Sequence, residues 1–189
     1  MKPLSRPARR TLLVVHVSAS ASWLGLTLGL LALAVTAVTT DPPAGTADGG
    51  PGGIVEAAVR SMKVFTDWLV LPLALVTLGS GLLLALGTPW GLARHRWVLI
   101  KFWLTLITLT ATALALRPGV DATVETVTSG AGPAPVDLMA GPIVSFCTYL
   151  FMTAVSVLKP WGPTRRGRRL RAEISSRKAL DERSPRRTV

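Results

Sequence analysis

The stretch Arg94-His95-Arg96-Trp97-Val98-Leu99-Ile100-Lys101-Phe102-Trp103-Leu104-Thr105, continued by Leu106 to Leu116, decides the fold. Twenty residues from Trp97 to Leu116 make a helix of about 30 Å, the thickness of a bilayer's hydrocarbon core. One cation, Lys101, interrupts it. Lys101 lies four residues from the Arg96-Trp97 boundary, about 6 Å deep at the helical rise, so its long stem allows the ammonium to snorkel to the headgroups. A second reading makes it part of a site. Lys101, Thr105, Thr108 and Thr112 recur at spacings of 4, 3 and 4, a polar stripe that should face other helices rather than lipid.

Outward from this segment the chain repeats the pattern. Thr11 to Val38 is an apolar run preceded by Lys2, Arg6, Arg9 and Arg10. It is too long for the apolar region of a secretion signal, which spans about 7–15 residues, so the first helix is expected to stay. Spans are expected at about 12–38, 64–86, 97–116 and 138–158, forming an all-α bundle of four transmembrane helices. Residues 159–189 form a basic tail, expected to be largely disordered, with a short interfacial helix as the alternative because Leu170 and Ile174 are one turn apart. Asp41 to Gly53 and Arg117 to Asp137 read as loops from their Gly, Pro and acidic residues. The turn from Gly87 to Arg96 makes the second and third spans an antiparallel hairpin. Pro72 is expected to kink the second span, and Gly79 and Gly81 to mark a close neighbour.

Composition agrees: 49% of the 189 residues are hydrophobic, 16% are charged and the mean hydropathy is positive. The net charge of +11 would suit nucleic acid, but the basic residues flank apolar segments and no nucleic-acid-binding motif accompanies them. Their partner is expected to be the bilayer, with anionic lipid at the tail. Of 21 Lys and Arg, 17 fall on one side of the spans and three, Arg60, Lys63 and Arg117, on the other. The positive-inside rule therefore predicts N-in and C-in topology. The single cysteine, Cys147, reads as a small core residue. Met139, Cys147 and Met152 share no face, so no metal site is assigned, and no phosphate loop, CxxC or HExxH pattern occurs.

Candidate functional residues are few. His16 shares a helical face with Ser20 and Trp23, about 7 Å past Thr11, and reads either as an interfacial imidazole bonded to a hydroxyl or water, or as a ligand or proton carrier. The first and third helices leave the same side, so His16 and Lys101 lie at one depth and are expected to line one pocket on helices able to be neighbours. A neutral imidazole can ligate iron or accept a proton, and an ammonium can hold a carboxylate. His95, between two arginines, reads as solvated at the interface. Asp67 reads as an interfacial acid, with a buried acid at the mouth of the bundle as the alternative. Ala21, Gly25 and Gly29 form a small-residue row suited to packing within the bundle, or to a homo-oligomer or another membrane protein as lateral partner.

His16 with Ser22-Trp23-Leu24-Gly25, and Trp97-Val98-Leu99-Ile100-Lys101 with the preceding Gly87-to-Arg96 turn, resemble a bacterial family of four-helix integral membrane proteins of unknown function, over roughly Leu12 to Pro118. More distantly they are similar to the copper-resistance D-type membrane domain and to bacterial membrane protoporphyrinogen oxidases, in which a first-helix histidine and a third-helix lysine are functional. The resemblance implies a bacterial inner-membrane location and His16 and Lys101 as cofactor-binding residues. It leaves open haem or porphyrin binding, or copper or small-solute transport. Leu30 to Val38 departs from the oxidase pattern, which carries Arg and Tyr-His late in the first helix. No catalytic residue is assigned.

Overall fold

The computed structural model describes residues 5–40, 51–87, 95–159 and 161–183. Four helices in it are long and apolar enough to cross a membrane: α1 (Arg6–Thr39), α2 (residues 51–87), α3 (Arg96–Thr128) and α4 (Val136–Leu158, opening with a 3₁₀ turn). A fifth helix, α5 (Arg165–Arg183), occupies much of the tail. Its described side chains from Ala172 to Arg177 are exposed, so helix replaces the disorder expected there without adding a packed layer. No strand occurs among the described residues.

Contacts fix the arrangement. Running up α1, His16 meets Ser80 and Gly29 meets Phe65; running up α3, Lys101 meets Ser156 and Thr105 meets Met152. Sequential helices are therefore antiparallel. α1 packs on α2 and α4, and α3 packs on the same two, which closes a ring with α1 and α3 on opposite corners. The sequence leaves α1 and α3 able to be neighbours, and the packing places them diagonally instead. One end of the bundle, holding Arg6, Arg96 and Lys159, is basic. The other holds Glu56, Asp67, Asp121 and Glu125 and is called the acidic end below.

The core is continuous from Trp23 near the middle to Val59, Met62 and Val120 at the acidic end. Thr105, Thr108 and Thr112 are all buried, so the stripe read from the sequence does face the interior. Thr105 and Thr108 donate to the carbonyls of Lys101 and Leu104, and Thr27 and Thr66 donate likewise to Trp23 and Met62. These four hydroxyls can be buried in apolar surroundings because each finds a carbonyl one turn back on its own helix.

Two wide turns mark the acidic third. In α2 the residues Phe65–Val70, and in α3 the residues Thr112–Leu116, adopt π-helical geometry. Each stands just before a proline, Pro72 and Pro118, whose ring nitrogen has no hydrogen to give the carbonyl four residues back. Widening the preceding turn absorbs that missing bond. The kink expected at Pro72 takes this form. It also explains a larger correction: Arg117–Thr128 is helix, not loop. There Val120 and Thr123 are buried beside Val55, Val59 and Met62 on the adjoining part of α2, so tertiary packing overrides the Pro-Gly signal. Across the wide turns Arg117 donates to Asp67 from Nε at 3.2 Å and from Nη2 at 2.9 Å. Lys63 bridges Asp67 at 3.0 Å and also reaches Asp121. Asp67 is thus a half-buried clasp between α2 and α3.

Three smaller readings also change. His95 is 8% exposed rather than solvated, because the chain beyond α4 returns across it and Pro163 pairs with its backbone. Cys147 lies exposed on the outer face of α4, not in the core. In the small-residue row Ala21 and Gly25 are exposed, and only Gly29 meets a neighbour, the Phe65 ring.

Candidate functional site

Each helix brings something to a cavity at the basic end. From α1 come Arg9, Leu13 and His16, from α2 Thr77 and Gly81, from α3 Trp97, Lys101 and Thr105, and from α4 Ser156. The cavity measures about 290 Å³, and Leu78, Leu82 and Phe102 give it a largely apolar wall. His16 and Lys101, matched by depth in the sequence, line the same space across the diagonal of the bundle.

His16 is held on one side. Its Nδ1 lies 3.1 Å from the Thr77 carbonyl and 3.0 Å from Ser80 Oγ. A carbonyl only accepts, so Nδ1 carries the proton. Ser80 gives its own hydrogen to the Val76 carbonyl at 2.6 Å and is free to accept from His16. The neutral ring therefore keeps its lone pair on Nε2, which has no partner among the described residues. A backbone carbonyl holding one ring nitrogen is the usual way a histidine is oriented to offer the other. Glycine at 81 permits this seat: a Cβ there would stand 2.9 Å from His16 Cε1.

Lys101 is held by a neutral group. Its ammonium donates to Ser156 Oγ on α4, and among the described residues no carboxylate pairs with it. Asp and Glu are absent between Trp68 and Val120 and between Leu138 and Ala172. Beside His16, Thr77 is 8% exposed and its hydroxyl has no hydrogen-bond partner among the described residues.

Arg9, Thr77, Ser80, Gly81 and Ser156 are not evident from the sequence as site residues. The available signals were Ser156, a lone hydroxyl near the end of α4, and the Thr77, Ser80, Gly81 grouping at a depth similar to that of His16. Comparison of the chain with protein-family models, curated proteins and solved structures gives no match.

Proposed function

We propose that the chain is a multi-pass protein of a bacterial inner membrane with both termini in the cytoplasm. Its activity is centred on the His16 and Lys101 cavity at the cytoplasmic end, where a small bound molecule meets a cation and an imidazole lone pair. The 17 to 3 distribution of basic residues supports the topology. The pocket reading rests on one observation: a carbonyl-held imidazole and a lysine without a carboxylate line one cavity. Charged groups within spans are costly and mark ligand or ion pathways. Helix α5, with Arg165, Arg168, Arg169 and Arg177 exposed, adds attraction to anionic lipid of about 1 kcal/mol per basic residue near the surface.

A cysteine scan in a Cys147→Ala background tests both parts. A membrane-impermeant thiol reagent outside the cell should label Ser129→Cys, and from the cytoplasmic side Ser176→Cys. The reverse pattern would invert the topology. A small thiol reagent on the cytoplasmic side should also modify Thr105→Cys on the cavity wall and spare Thr108→Cys one turn deeper. If both stay unreactive while Ser176→Cys reacts, the cavity is a packing gap.

The tautomer of His16 favours one narrower alternative, a haem or porphyrin redox protein. His16 Nε2 would hold the iron and Lys101 a propionate, and haem when bound would supply one-electron chemistry. The space is less favourable: about 290 Å³ lies at the floor of the roughly 300–1,000 Å³ typical of small-molecule sites, below what a whole tetrapyrrole requires. A Soret band in the purified protein, lost in His16→Ala, would promote this alternative, and a flat spectrum after haem addition removes it. For copper, among the described residues no three His, Cys, Asp or Glu side chains group together.

A further inference from the structure

The cavity is basic at its mouth and largely apolar along its wall. At its basic end Arg6, Arg9 and Arg10 surround a shallow hollow that shares Arg9 and Leu13 with the cavity proper. Deeper in stands Lys101, and among the described residues no acidic side chain lines either space. Arginines at a mouth and a lysine within make a funnel for an anion, since clefts lined by one sign of charge concentrate ligands of the other. A cation inside a bundle is ordinarily paired with an acid or a backbone carbonyl. Among the described residues Lys101 has only the Ser156 hydroxyl as a side-chain partner, so its countercharge is left for a ligand to supply.

The rest of the wall asks for something different. Leu13, Leu78, Leu82, Trp97 and Phe102 offer hydrocarbon and aromatic surface. The volume, about 290 Å³, is the room of about ten waters at roughly 30 Å³ each, enough for one short chain and too little for a two-chain lipid. A soluble anion such as inorganic phosphate would leave this wall unsatisfied.

We infer that the cavity binds a single-chain anionic amphiphile, its carboxylate or phosphate monoester held by Lys101 and its alkyl tail along the apolar wall of α2 and α3. This rests on the pocket reading above and narrows it to a ligand class. The anion accepts from the ammonium, and the remaining hydroxyl of a singly ionised phosphate monoester has a waiting acceptor in His16 Nε2.

Trp97 on the wall provides the readout, because bromine on a bound tail quenches indole fluorescence. The probes are 11-bromoundecanoate, 11-bromoundecyl phosphate and the neutral 11-bromoundecanol, added to the full-length protein in uncharged detergent. The expected result is saturable quenching by one or both anions, competed by unbrominated dodecanoate and absent in Trp97→Phe. Lys101→Met should weaken anion binding about tenfold or more, and Lys101→Arg should largely restore it. If Lys101→Met fails to fold, Lys101→Gln, which keeps a donor for Ser156 but no charge, should show the same loss. Carboxylate without phosphate, or the converse, identifies the headgroup and supports the inference either way. Equal competable quenching by the alcohol, unchanged on loss of the Lys101 charge, overturns the anion class while leaving a binding pocket. No competable, Trp97-dependent quenching by any of the three overturns the pocket as well.

Discussion

Trp23→Ala is expected to destabilise the bundle by about 3–5 kcal/mol, the usual cost of truncating a fully packed large aromatic. Trp23 is 2% exposed, and its ring meets Tyr149 of α4 edge to face with centroids 4.7 Å apart. Within lipid, helices gain little from hiding apolar surface, because the tails outside are equally apolar. They associate through close packing, so a void at the α1–α4 contact removes the force that holds the pair. The void would also leave the Tyr149 hydroxyl, already without a partner among the described residues, in a still emptier surrounding. Denaturant titration in mixed micelles, followed by circular dichroism, measures the change. Trp103→Ala is the control: that indole is 54% exposed on the outer face of α3 and should stay within about 0.5 kcal/mol of the parent. Equal stability of the two variants would show that Trp23 does not hold the helices together.

The second large effect is expected at Gly81. A Cβ there would stand 2.9 Å from His16 Cε1, and the branched side chain of Gly81→Val makes the conflict unavoidable. Overpacking of this kind costs about 1–3 kcal/mol, and the ring must also leave the Thr77 carbonyl. Both losses pass through one side chain, so the two substitutions should be strongly non-additive: Gly81→Val in a His16→Ala background should cost little more than His16→Ala alone. The same denaturant titration serves. An undiminished Gly81→Val penalty without the imidazole would place the conflict elsewhere and remove Gly81 as the seat of His16.

Features with local causes were legible in the sequence. The Lys101, Thr105, Thr108, Thr112 stripe follows from helical period, and its burial follows because hydroxyls avoid lipid. The equal depth of His16 and Lys101 needs only residue counts from a common boundary. What escaped depends on partners distant in the chain. Pro118 and Gly119 read as a loop until the buried faces of Val120 and Thr123 are seen against Val59 and Met62. His95 reads as solvated until Pro163 crosses it. Gly81 was marked as a close contact, but nothing local names His16 as its neighbour, and Gly79, marked with it, meets nothing within 4 Å. Which helices stand diagonally was also outside reach, because a hairpin turn fixes direction and adjacency only for the two segments it joins.

The shallow seat of Lys101 has a bearing on membrane voltage. At about 6 Å into a hydrocarbon core of about 30 Å, the ammonium sits roughly one fifth of the way across the field in the proposed topology. A unit charge crossing the whole field changes energy by about 2.3 kcal/mol per 100 mV, so one arriving at Lys101 from the cytoplasm feels about 0.5 kcal/mol. That corresponds to about a twofold change in occupancy. In the proposed topology, loss of the membrane potential would therefore change the cavity's affinity for a bound anion by no more than about twofold, a smaller lever than a roughly tenfold change in ligand concentration.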